Sequence, residues 1–204
     1  MINMIVGTDM AKVDDRLAQP LRSTVYRVEI HGETYDIHDT VGLGEHNGNV
    51  DSARATANLF RLVDDLSTSG GINLLVYVVR CNRRSVETIR KHYSLIHHGL
   101  CDSKVPIVII VTGCENVGPT MDRWWTENEA SFTKAGISFN GHACVCAFKG
   151  TKTKNGGYRT EGLFNDSLQV VRQLVIQRCM SNGWKKVRRP YSQFSLENNS
   201  PKHF

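Results

Sequence analysis

Two short, unbroken apolar runs constrain this fold more than any other feature of the chain. They are Asn73 to Val79 (Asn-Leu-Leu-Val-Tyr-Val-Val) and Pro106 to Val111 (Pro-Ile-Val-Ile-Ile-Val). Runs of this length, rich in Val and Ile, read as strands covered on both faces, the environment of a parallel sheet. Each is followed by a stretch of helical period. From about Ser85, residues Val86, Ile89, Tyr93 and Ile96 share one stripe, and a second helix runs from about Thr120 to Lys134, stopped by Gly136. Parallel neighbours need such crossovers, because a tight turn cannot join them. His142 to Ala147 adds a strand. A final helix, with Asp166 as its expected cap, turns Leu168, Val171, Leu174 and Val175 inward. The expected class is α/β, a three-layer domain with a mostly parallel sheet.

The first third reads differently. Thr24 to Ile30 alternates, with Tyr26, Val28 and Ile30 on one side; His31-Gly32-Glu33 turns the chain, and Thr34 to Asp39 returns. This is an antiparallel hairpin. A Gly-rich loop and a helix from about Val50 to Leu66 follow, its Leu59, Leu62, Val63 and Leu66 on one face. Residues 151–162, rich in Thr, Lys, Asn and Gly, read as a mobile loop, and residues after Gly183 lack periodicity. The expected organisation is one domain over 1–180 and a basic, flexible tail over 181–204.

The 204-residue length fits one domain. No apolar run is long enough for a bilayer span, and the N-terminus lacks the pattern of a signal peptide, so a cytoplasmic location is expected. Cys81, Cys101, Cys114, Cys144, Cys146 and Cys179 show no metal-type spacing and read as reduced, mostly buried thiols. The net charge of +5 is concentrated at the C-terminus: residues 181–204 carry five cations against Glu197, leaving +1 for the body. That distribution argues against a nucleic-acid-binding surface.

In a parallel α/β sheet, functional loops lie beyond the carboxyl ends of the strands. Three such ends stand out: Asp39-Thr40-Val41-Gly42, Thr112-Gly113-Cys114-Glu115-Asn116, and Ala147-Phe148-Lys149-Gly150. A carboxylate at a strand end can hold a magnesium-bound water, and a glycine without Cβ lets its N–H approach a phosphate. Alone, Asp-x-x-Gly is a common turn. The order and spacing of the three loops resemble a GTPase domain: switch-II aspartate, guanine-reading loop, and the short loop beneath the base. The phrases Leu74-Leu75-Val76-Tyr77-Val78-Val79-Arg80, Val105-Pro106-Ile107-Val108, Gly141 to Gly150 and Thr153 to Arg159 resemble fungal P-loop G-domain proteins, loosely akin to immunity-associated GTPases.

The resemblance covers roughly residues 1–180 and implies GTP or GDP with Mg2+. Asp39 would hold the magnesium through water and Gly42 would meet the γ-phosphate. Thr112, Glu115, Ala147, Phe148 and Lys149 would surround the base. No catalytic residue is assigned. The departures are as informative. The phosphate loop Gly-x-x-x-x-Gly-Lys-Ser/Thr, whose amides and lysine cradle the β-phosphate, is not in the sequence. Met1 to Gly7 resembles the helix that follows that loop, so Met1 is expected to be internal to a longer protein, or the domain is a degenerate one. The parent strand of the phosphate loop is central in the family, so the strand ending at Asp39 and the run Asn73 to Val79 are expected to flank a gap. Gly113 and Glu115 stand where the family places a lysine and an aspartate, Leu43 where Ras-like enzymes place a water-orienting Gln, and Pro20 near the switch-I threonine, with Ser23 or Thr24 as substitutes.

Two functions follow as expectations: a GTP-binding protein with impaired hydrolysis, or a degenerate G domain that serves as a protein-interaction module. The bland readings are a loop-exposed Glu115, a solvated Lys149, and Trp124 and Trp125 divided between one core residue and one partly exposed residue. His97 and His98 read as helix-end histidines with no metal role.

Overall fold

The computed structural model describes residues 1–6, 23–40, 49–82 and 85–187. Gly42, Leu43, Pro20 and the end of the tail lie outside the described residues. The elements, in order, are α1 (Ile2–Val6), β1 (Thr24–Ile30), β2 (Glu33–Asp39), α2 (Asn49–Thr68), β3 (Leu75–Arg80), α3 (Val86–Tyr93), β4 (Ile107–Thr112), α4 (Arg123–Lys134), β5 (Gly141–Val145) and α5 (Glu161–Arg178). A π-helical segment, Ser94–Leu100, continues α3.

The strands form two sheets. β1 and β2 pair antiparallel, Thr24 opposite Asp39 and Ile30 opposite Glu33. β3, β4 and β5 form a parallel sheet in that order, with Val76 opposite Val108 and Ile110 opposite Ala143. The fold is therefore α/β, as expected from the alternation of apolar runs and helical stretches. Among the described residues β2 pairs only with β1 and β3 only with β4, so the two strands expected to flank a gap are not neighbours.

β4 sits at the centre, and all five residues from Ile107 to Val111 are buried. Successive side chains of a strand face opposite ways, so β4 feeds two cores. Ile107, Ile109 and Val111 join Val79, Ile89, Tyr93 and Phe132 on the side of α3 and α4. Val108 and Ile110 join Met4, Ile5, Val28, Ile30, Val145 and Val171 on the side of α1, the hairpin and α5. A third cluster of Val63, Ile72, Leu100, Val105 and Trp184 closes the base of the parallel sheet with α2.

Four expectations require correction. First, the run Asn73 to Val79 is not covered on both faces. Val79 is buried, but Val76 and Val78 leave 41% and 40% of their surfaces in water. Among the described residues β3 is an edge strand, and these two side chains are only partly covered on the face where β4 meets the hairpin and α5. Second, residues 151–162 do not form a structureless loop. Arg159 N donates to Thr151 O, Thr153 N donates to Gly157 O, and Lys152 pairs with Tyr158, making a small hairpin that leads into α5 at Glu161. Third, Asp166 consequently lies inside α5 and does not cap it; the N-cap is Thr160. Fourth, the segment after Gly183 is docked at its start. Trp184 is buried and exchanges two backbone hydrogen bonds with Ile72. Gly71 and Gly183 permit this: a Cβ on Gly71, which has φ +90°, would sit 2.6 Å from the Gly183 carbonyl carbon. A tryptophan outside any periodic segment carried no signal of this docking.

Candidate functional site

β4 and β5 are adjacent and parallel, so the segments leaving their carboxyl ends lie side by side. One backbone bond ties them: Cys114 N donates to Val145 O at 3.3 Å. The structure therefore brings Thr112–Glu115 together with the start of Ala147–Lys149. It also shows where each predicted side chain goes.

Thr112 is committed to the sheet. Its hydroxyl donates to Val79 O at 3.2 Å, and its carbonyl accepts from Cys81 N at 2.9 Å. Gly113 has φ +80°, and a Cβ there would lie 3.4 Å from Arg80 Nε. A lysine at this place would be strained, because only glycine enters this region without penalty. Gly113 is thus matched to its loop geometry. Glu115 is half-buried, and its charge reaches the thiols of Cys81 and Cys114.

Three thiols gather under this loop. Cys81 follows β3, Cys114 follows β4, and Cys144 lies in β5. Cys81 Sγ donates to Gly113 O at 3.0 Å and Cys114 Sγ to Val111 O at 3.4 Å. The Cys114 thiol is pushed far above its usual range, first by its hydrogen bond with Cys144 and then by burial. Burial likewise raises Cys81. Raised in this way, the Cys81 and Cys114 thiols disfavour the thiolate, the nucleophilic form. No group of His, Cys, Asp and Glu suited to a metal occurs among the described residues.

The β5 loop is built from its carbonyls inward. Phe148 O accepts from Thr160 Oγ1 at 2.8 Å and from Cys146 Sγ at 3.1 Å, while Lys149 O accepts from Thr160 N at 2.9 Å. Cys146 N, at the loop's root, donates to the buried Ser167 Oγ of α5 at 3.0 Å. With the carbonyls turned in, the backbone N–H groups of Ala147, Phe148 and Lys149 have no partner among the described residues. Phe148 and Lys149 are exposed and Ala147 is half-buried. The exposed Lys149 ammonium sits 5.2 Å from the Phe164 ring centroid and 5.9 Å from that of Tyr158, within cation–π range.

Asp39 belongs to the other sheet, exposed at the end of β2. Its direction follows from the turn at the far end of the hairpin. His31 of that turn and His142, at the amino end of β5, line one open groove of about 500 Å³ along α5. The hairpin turn therefore lies at the amino-terminal end of the parallel sheet. β2 then runs the same way as β3 to β5, towards the end that carries the two loops. Burial holds the Met1 ammonium below its usual value, opposed by the charge of Asp39 nearby. Met1 packs on the same core as Ala147.

Sequence reasoning missed Ser167, Thr160, Tyr158 and Phe164, which shape the β5 loop. Ser167 alone left a trace, as a polar residue on the apolar face of α5 between Leu163 and Val171. Trp124 and Trp125 are both half-buried against the second core, not one in the core and one partly exposed. Trp124 Nε1 donates to Cys81 O at 2.8 Å, supporting the segment after β3. No helix among the described residues is long and apolar enough to cross a membrane. No protein-family model matches the chain, and no curated protein matches it.

Proposed function

We propose that this chain carries the base-side half of a guanine-nucleotide site of G-domain type. The observation that carries the reading is the shared end of the two sheets. Asp39, the Glu115 loop and the Ala147–Lys149 loop all leave strands at that end. The strand arrangement is compatible with it, since among the described residues β2 and β3 do not pair, and the resemblance places the strand of the phosphate loop between them. In this reading the N–H groups of Ala147 to Lys149, without a partner among the described residues, meet acceptor atoms of the base. Glu115 would accept from the base's N–H edge, and Asp39 would hold Mg2+ through water. Magnesium would neutralise phosphate charge. No residue of the sequence supplies the amide-and-lysine cradle, and each missing charge-assisted contact is worth about 1.5–3 kcal/mol.

Binding is therefore expected to be weak, with a dissociation constant of roughly 100 μM or above. GTP turnover is expected to be indistinguishable from a no-enzyme control. Calorimetric titration with GTP and Mg2+ tests this. A nanomolar dissociation constant would refute the incomplete cradle, as would phosphate release that disappears in Asp39→Ala. A complete absence of binding at millimolar GTP would sink the nucleotide reading. The second reading, an interaction module, is favoured by the uncovered Val76 and Val78 on the edge strand β3.

A further inference from the structure

Phe148 exposes 66% of its surface, yet the backbone that carries it is held firmly. Its own carbonyl has two donors, the next carbonyl has one, and the root of the loop is bonded to Ser167. Gly150, at φ +83°, turns the chain back against Thr160, where a Cβ would sit 3.0 Å from Thr160 Oγ1. The exposed position of the ring is thus set by a bonded loop. Lys149 is drawn to the Tyr158 and Phe164 rings, so its ammonium is engaged there and its side chain is not needed at the base. A fixed, exposed aromatic face beside three N–H donors with no partner among the described residues suits a planar heteroaromatic ring bearing acceptor atoms.

We infer that Phe148 is the stacking platform for the nucleotide base, an inference that rests on the nucleotide reading above. Stacking is tolerant of base identity because every base has a π-face. Phe148 therefore contributes affinity, and Glu115 contributes the preference for guanine over adenine. The two residues have separable signatures.

The test is calorimetric titration of the full chain with GDP and, separately, ADP, each up to several millimolar. The wild type is compared with Phe148→Ala, Phe148→Leu, Phe148→Trp and Glu115→Gln. Phe148→Ala and Phe148→Leu are expected to weaken both nucleotides by the same factor, roughly tenfold. Phe148→Trp should retain binding, and Glu115→Gln should collapse the ratio between GDP and ADP. If the wild type binds and both the Ala and Leu variants bind within twofold of it, Phe148 is not the platform, and the nucleotide reading survives. If the wild type binds neither nucleotide, the nucleotide reading itself fails and the inference falls with it. Unfolding midpoints of all variants serve as the fold control. A side chain this exposed contributes little to stability, and if the Ala variant fails to fold, the Leu variant carries the comparison.

Discussion

Ser167→Ala isolates the one buried side chain that joins α5 to the root of the β5 loop. Ser167 is 1% exposed; its hydroxyl donates to Leu163 O at 2.6 Å and accepts from Cys146 N at 3.0 Å. Leu163 O keeps its place in the helix when the hydroxyl is removed. Cys146 N–H does not keep a partner, and a buried donor left unsatisfied costs about 1–3 kcal/mol. Alanine is the better helix former, which returns up to about 0.7 kcal/mol. The expected net loss is about 0.3–3 kcal/mol. Urea unfolding monitored by circular dichroism reads it as a lower midpoint at unchanged slope. Hydrogen exchange should show the Cys146 amide losing protection ahead of its neighbours in β5. Thr133→Ala is the control, because that hydroxyl bonds Glu129 O on an exposed helix face and should change stability by no more than about 0.5 kcal/mol. Unchanged stability in Ser167→Ala together with an equally protected Cys146 amide would refute the account of how the loop is anchored.

Two further outcomes are expected. His97 is buried in the π-helical segment, its Nδ1 has no partner among the described residues, and its ring faces Tyr93, His98 and the Val105 carbonyl. Burial, then the neighbouring His98, lowers its pKa, with the Val105 bond opposing. The unfolded chain then binds the proton more readily, so stability should fall as pH drops through about 6.5 towards the lower folded value. A His97→Gln variant should lose that part of the slope, and an unaltered pH profile would contradict the assignment. Separately, the uncovered Val76 and Val78 on an edge strand predict self-association of the isolated chain. Sedimentation velocity should show oligomers that diminish in the Val76→Thr, Val78→Thr double variant, and a monodisperse wild type would overturn this.

The amino-acid sequence by itself determined the class of the fold and the positions of the loops. Continuous apolar runs at Asn73 to Val79 and Pro106 to Val111, each followed by a helical stripe, admit few arrangements besides a parallel sheet with crossovers. Strand ends in such a sheet are where loops gather, so Thr112–Glu115 and Ala147–Lys149 were legible from periodicity and spacing. What tertiary structure decided is what covers each surface and where each polar group finds its partner. A run of Leu, Val and Tyr looks the same in a central strand and at an edge, and only the pairing order of β3, β4 and β5 leaves Val76 and Val78 uncovered. Thr112 reads as a loop ligand, but its hydroxyl is taken by Val79 O one strand away. Lys149 reads as solvated and is exposed, and only packing adds the two rings beside its ammonium, brought close by the 151–159 hairpin and α5. Local pattern records which residues prefer a strand or a helix. Hydrogen bonds and burial between segments distant in the chain are settled only when the elements pack, because each partner satisfies a need that its own neighbours in sequence do not reveal.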